Sequence, residues 1–252
     1  MELDQYIGQR AKIGVIIPST NTAVEYDIQK VIPPGVTWHP ARFWVESPSL
    51  TNDQAFLEFL DCIRETIPNA VRDILTCFPN HIMMGMSAET FWGGLAGNAE
   101  FIERISELMG EEIGLTTGAN AVTAALDCFR VKNIAVLTPY QPIGDIQVEK
   151  FFSDTAFNVK KVVGLKCDSA TSIAATPRKV VLDSVLRDLD GDDIEAIVQV
   201  GTNLSTVDIF PTLENLLAKP CLPINICTVW HALRHNDIHD RFENMGRLLL
   251  EF

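Results

Sequence analysis

The chain has 252 residues, 47% of them apolar and 21% charged, and its formal net charge is −13. That balance fits a soluble globular protein with room for one large α/β domain or two half-sized lobes. It argues against nucleic acid as a partner, because phosphates demand a basic footprint and no run of Lys or Arg exceeds two residues.

In chain order, short β-branched runs alternate with helical periodicity. Strands are expected at KIGVIIP (12–18) and VTWHPARFWV (36–45), then a long helix over 54–75 and a strand at HIMMG (81–85). A helix over 98–109, a strand at IGLTT (113–117) and a helix over 119–129 follow. The second half repeats the scheme with strands NIAVLTP (133–139), VKKVVGL (159–165), IEAIVQVG (194–201) and CLPIN (221–225). Its helices are expected at 143–154, 177–189 and 210–218. Alternation of this kind implies α/β architecture with parallel sheets.

Two stretches of the first half are echoed in the second. KIGVIIPSTN (12–21) pairs with NIAVLTPYQP (133–142), and HIMMGMSAET (81–90) pairs with EAIVQVGTNLS (195–205). Each is a buried strand that ends in hydroxyl, amide or glycine residues. Ligands of open α/β sheets sit at the carboxyl ends of strands, so a cleft between two similar lobes is expected, one spanning 1–115 plus 226–252 and the other 116–225.

Four strand ends would face this cleft: Pro18-Ser19-Thr20-Asn21-Thr22, Met86-Ser87-Ala88-Glu89-Thr90, Thr138-Pro139-Tyr140 and Gly201-Thr202-Asn203. A single Ser, Thr or Asn would suffice to cap a helix. Four consecutive hydroxyl or amide residues exceed that need and form a cradle suited to a carboxylate without Lys or Arg.

These residues resemble the aspartate/glutamate racemase superfamily, in particular its branch of maleate cis-trans isomerases and arylmalonate decarboxylases. IGVIIPSTNTAVEYD is similar to the branch's opening Pro-Ser-Ser-Asn motif, VLTPY to its middle motif, and IVQVGTNLSTVDIFPTLENLLAKP to its second-lobe segment. The resemblance covers about residues 10–250. It implies two flavodoxin-like lobes related by a pseudo-dyad, and chemistry beside a carboxylate with no cofactor and no metal. It also implies a cysteine at a strand end in one or both lobes. Aligned through FWGG the first-lobe position falls on Met86, aligned through MG it falls on Gly85, and the second-lobe position falls on Gly201.

With neither position a cysteine, a two-thiol racemase is disfavoured, and a decarboxylase, lyase or hydrolase of small carboxylates is the leading expectation. Glu89 and Tyr140 are the expected catalytic residues. Glu89 is read either as a general base or as a first-turn carboxylate favoured by the helix dipole. Ser19, Asn21, Met86, Ser87, Gly201, Thr202 and Asn203 are expected around the substrate. The alternative is a binding protein that kept the fold and the cradle but lost catalysis.

The six cysteines show no CxxC spacing and are read as reduced thiols; Cys227, just after the last strand, is the one that could approach the cleft. His231, His235 and His239 stand at i, i+4, i+8, but HND (235–237) reads as a helix end that breaks such a ladder. No apolar run reaches the roughly 18 residues of a membrane span, and the acidic start MELDQYIGQR does not read as a signal peptide. A cytoplasmic protein is therefore expected, with a small carboxylate as ligand, no membrane or nucleic-acid partner, and possible homo-oligomerisation.

Overall fold

The computed structural model describes residues 7–46, 50–110 and 112–252. The chain runs β1 (Ala11–Pro18), α1 (Val24–Ile28), β2 (Val36–Phe43), α2 (Asp53–Leu75), β3 (His81–Met84), α3 (Ala88–Phe91), α4 (Gly94–Met109), β4 (Gly114–Thr116) and α5 (Gly118–Phe129). It continues through β5 (Asn133–Thr138), α6 (Pro142–Asp154), β6 (Asn158–Gly164), α7 (Ala170–Ala174), α8 (Arg178–Asp183), β7 (Ala196–Gln199), α9 (Phe210–Leu217), β8 (Cys221–Pro223), α10 (Ile224–His235) and α11 (Arg247–Glu251).

The strands form two parallel four-stranded sheets, ordered β2-β1-β3-β4 and β6-β5-β7-β8. The two orders are the same when each half is counted from its own first strand. In both, the strand order reverses between the first and third strands of the half, which is where ligands bind in open sheets. The echoed segments supply β1, β3, β5 and β7, the four strands flanking those two switch points. The sheets are therefore related as the sequence repeat implies.

Burial explains the strands. Ile134 and Val136 face the large core shared by both halves, whereas Ala135 and Leu137 face a smaller core with Val185, Ile197 and Phe210. That is the two-residue alternation of a strand covered on both faces. Helix α2 follows from Phe56, Leu60, Ile63, Ile67 and Val71, spaced three or four apart and all buried. Its start is fixed by Asn52, whose side chain accepts from the Ala55 N–H at 2.9 Å.

The stretch expected as one helix over 177–189 divides into α8 and a π-helical turn, Ser184–Leu189. CLPIN also divides: the strand stops at Pro223 and α10 begins at Ile224. Helix α10 carries buried residues on every side and packs on α5, α1, β3 and β4. It ends at His235, with Asn236 as C-cap and Asp237 in the left-handed region at φ 53°, as HND implies. No helix among the described residues is long and apolar enough to cross a membrane.

Candidate functional site

Three of the four strand ends, together with the turn after β1, meet at one cavity between the sheets. Its polar lining comes from Thr20, Asn21, Ser87, Tyr140, Thr202 and Asn203, and its apolar walls from Leu50, Phe56, Phe59, Met86 and Ile173. Among the described lining residues there is no Asp, Glu, Lys, Arg, His or Cys. The space is small, about 60 Å³, and suits a few heavy atoms at the ~10–15 Å³ that one water-sized position needs.

The polar groups are already linked across the lobes. Ser87 Oγ lies 2.8 Å from the Tyr140 hydroxyl and accepts the Thr202 N–H at 3.1 Å. Thr202 Oγ1 donates to the Gly85 carbonyl at 3.1 Å and accepts from Asn21 Nδ2 at 3.2 Å. Asn21 Oδ1 in turn accepts the N–H groups of Ala23 and Val24, fixing the start of α1. Asn203 accepts from the Thr22 N–H at 2.9 Å and donates to the Ala170 carbonyl at 2.8 Å. Each buried amide or hydroxyl thus has a partner, and a carboxylate could exchange for the Ser87–Tyr140 contact without orphaning either side chain.

Tyr140 is held from behind. Its N–H donates to Thr138 Oγ1 at 3.1 Å, and that hydroxyl donates to Asp145. Burial pushes the Tyr140 phenol above its ordinary range, so it is protonated and available as a donor at neutral pH. Phe56 packs edge-on against it, with ring centroids 5.9 Å apart. Burial also pushes the Asp145 carboxyl up to about 6, against the lowering effect of the Thr138 hydrogen bond.

The family model for arylmalonate decarboxylase matches residues 48–249. The chain belongs to the arylmalonate decarboxylase family. Its isomerase and decarboxylase relatives indicate an enzyme of that type, and two maleate isomerases are similar over at least 94% of each chain. The one from Pseudomonas putida is 23% identical over 253 residues, covering 96% of this chain and 98% of the relative. The one from Alcaligenes faecalis is 20% identical over 248 residues, covering 94% and 96%. Among solved structures, a Nocardia farcinica maleate cis-trans isomerase with a covalently bound succinylcysteine intermediate superposes with a TM-score of 0.86 at 19% identity, covering 96% of this chain and 98% of that one. A crystal structure of arylmalonate decarboxylase superposes with a TM-score of 0.73 at 18% identity, covering 94% and 98%.

In this member of the arylmalonate decarboxylase family, Asn21, Met86, Ser87, Tyr140, Gly201, Thr202 and Asn203 line the cavity together. Two expected residues do not. Ser19 is exposed, and its Oγ accepts the Val45 N–H at 2.9 Å, so it fastens the end of β1 to the chain beyond β2. Thr20 turns inward in its place. Glu89 is 4% exposed and points away from the cavity: Arg64 Nε donates to its Oε1 at 2.6 Å and Arg104 at 3.3 Å. A carboxylate turned toward two guanidinium groups on α2 and α4 cannot reach a substrate in the cavity. The general-base reading of Glu89 is therefore corrected to a structural one.

The cysteine positions are constrained by backbone. Gly201 has φ 109°, and a Cβ there would meet Pro139 Cδ at 2.4 Å. At Gly85 the nearest atoms would lie at 3.1 Å, tight but without positive φ. Cys227 is fully buried within α10 and does not line the cavity; burial pushes its thiol above the ordinary range. Among the described residues, no group of three or more His, Cys, Asp or Glu is placed to hold a metal.

Residues missed from sequence support the site from outside. The Arg42 guanidinium donates to the carbonyls of Pro18, Ser19 and Asn21 at 3.3, 3.3 and 2.9 Å and pairs with Glu25 at 2.9 Å. It braces the turn after β1 from a neighbouring strand, a relationship that appears only once β2 pairs with β1.

Proposed function

We propose that the protein is a cofactor-independent, thiol-independent enzyme that acts on a small carboxylate, and that decarboxylation of a malonate-type acid is its reaction. The observation that carries this reading is the meeting of the Tyr140 hydroxyl and the Thr202 N–H on Ser87 Oγ, at 2.8 and 3.1 Å, beside an apolar wall. One substrate carboxylate would replace the Ser87–Tyr140 contact and accept from these three donors. The other would face Leu50, Phe56 and Ile173, where a charge is poorly solvated.

Loss of CO2 breaks the bond from the α-carbon to the second carboxyl and sends its electron pair toward the retained carboxylate, giving an enediolate. Donors aimed at the oxygens where charge grows stabilise that species more than the starting acid. The carbon then takes a proton from the Tyr140 hydroxyl or a water, and water restores the proton to Tyr140. With Glu89 turned away, Tyr140 is the one titratable side chain among the described residues of the cavity.

The Nocardia relative carries a succinyl group on a cysteine. The absence of cysteine among the described lining residues favours decarboxylation over isomerisation through such an adduct. The test is turnover of malonate, methylmalonate, phenylmalonate and maleate by the wild-type protein, Tyr140→Phe and Ser87→Ala. Removing one such donor lowers kcat by about 10²–10³-fold. Equal turnover by all three proteins would remove the cradle from the mechanism.

A further inference from the structure

The Thr202 carbonyl leads to a buried carboxylate that the proposed reaction does not use. Asp27, on α1, is 1% exposed. Its Oδ1 accepts from Ser205 Oγ at 2.6 Å and its Oδ2 from Asn225 Nδ2 at 2.7 Å. The same Asn225 Nδ2 donates its second hydrogen to the Thr202 carbonyl at 2.8 Å. Thr202 therefore sits between two anchors: its N–H points to Ser87 and the cavity, and its C=O to Asn225 and Asp27.

Among the described residues, Asp27 has no ion-pair partner. The charged groups that act on it are Asp208 and Lys30, and these pair with each other at 2.9 Å while Tyr26 also donates to Asp208. Burial accordingly pushes the Asp27 carboxyl up to about 6, against the lowering effect of its bonds to Ser205 and Asn225. A buried carboxylate without a cation is costly, and an apolar residue of similar size is often tolerated in such places. Its two oxygens instead orient an amide that has one hydrogen for Asp27 and one for the cradle.

We propose that Asp27 is a positioning residue: acting through Asn225, it holds the Thr202 carbonyl and so restrains residue Thr202, whose N–H, in the preceding peptide unit, faces the substrate carboxylate. The inference rests on the carboxylate-binding role proposed for the cavity. Its local effect on Thr202 can be measured without that role. What matters is acceptor geometry rather than charge, so an Asn at this position, with its carbonyl toward Asn225 and its amide toward the Ser205 hydroxyl, preserves the arrangement.

Amide hydrogen exchange at Thr202 and calorimetric binding of malonate and maleate test this in Asp27→Ala, Asp27→Asn, Asn225→Ala and the Asp27→Ala/Asn225→Ala double variant. Asp27→Ala is expected to speed Thr202 exchange and weaken malonate by about tenfold each, while exchange in β5 stays unchanged. Asn225→Ala does the same, the double variant is no worse than either, and Asp27→Asn stays within about twofold of the wild type. If Asp27→Ala fails to fold, Asn225→Ala and Asp27→Asn carry the same contrast. The proposal is overturned by unchanged Thr202 exchange in both alanine variants, by additive losses in the double variant, or by an Asn that is as damaging as Ala. Failure of the wild type to bind either acid would sink the carboxylate reading alone, and the exchange result would then decide the role of Asp27.

Discussion

Ser87 Oγ and the Tyr140 hydroxyl lie 2.8 Å apart although they follow different sheets, β3 and β5. The first sheet brings Ser87, and the second brings Tyr140 and the Thr202 N–H, so the three meet only across the two sheets. Tyr140→Phe deletes one oxygen and leaves Ser87 bonded to the Thr202 N–H. Unfolding free energy should change by no more than about 1–2 kcal/mol, the scale of one hydrogen bond, while kcat/KM falls about 10²-fold. Equilibrium denaturation alongside kinetics checks both halves of this expectation.

Glu89 holds α3 to α2 and α4 through Arg64 and Arg104. Replacing it by Gln removes the charge from a buried position but leaves both arginines partly solvated, at 36% and 44% exposed. A loss of about 1–3 kcal/mol in stability is expected, at or below the range for breaking a buried pair. The pH dependence of turnover should not move. A lost limb in the pH–rate profile of Glu89→Gln would return Glu89 to the catalytic step.

A thiol cannot be restored equally in the two lobes. Gly201→Cys must place a side chain at φ 109° against Pro139 at 2.4 Å, whereas Gly85→Cys meets Ile16, Ile17 and Val24 at 3.1 Å, tight but without a positive φ. Thermal unfolding should show Gly201→Cys as the more damaged variant, by several degrees for a cost of about 1–3 kcal/mol. Alkylating the wild-type protein should leave turnover intact, since Cys227 is fully buried and outside the cavity.

Buried histidines and buried aspartates pull the pH dependence of stability in opposite directions. Burial lowers His81 to about 3, with His235 and His231 adding to the effect, and burial with His235 lowers His231 to about 4. Their neutral forms are locked by the Thr116 hydroxyl, 2.8 Å from His81 Nε2 and 2.9 Å from His231 Nδ1. The unfolded chain takes these protons first, so their contribution is complete above about 6.5 and is lost as pH falls, up to about 3 kcal/mol each at pH 4. Asp27 and Asp145, raised to about 6, favour the folded state most below about 4 and lose that advantage as pH rises through 6. Urea unfolding of His81→Gln and Asp27→Asn should separate the two effects. The first flattens the acid limb; the second gains stability at pH 7–8 relative to the wild type and nothing at pH 4.

The strands were legible because each is a short apolar run ended by Pro, Gly or hydroxyl residues, and all eight lie where the runs predict. The start of α10 was not, because residues 224–230 are all buried and display no periodic polar face, although HND marked its end. At the site, Asn21, Ser87, Tyr140, Thr202 and Asn203 could be read as strand-end residues whose side chains exceed capping needs. The directions of Ser19 and Glu89 could not. Ser19 is turned by Val45 and Glu89 by Arg64 and Arg104, partners that are 26, 25 and 15 residues away and set by tertiary packing. Asp27 and Asn225 were silent for the same reason, since 198 residues separate the two.

The proposed turnover of a carboxylate in this cavity requires no thiol. The most direct measurement follows the malonate panel by NMR in D2O with the wild-type protein and a variant in which all six cysteines are replaced. Both proteins should convert the same substrate to a monocarboxylate carrying one solvent deuterium at the α-carbon, at rates within about threefold once folded protein is matched, because none of the six cysteines lines the cavity and replacements outside a site act mainly on stability. Tight binding of unaltered malonates with no deuterated product, or turnover confined to the protein that keeps its cysteines, would contradict the thiol-free reaction.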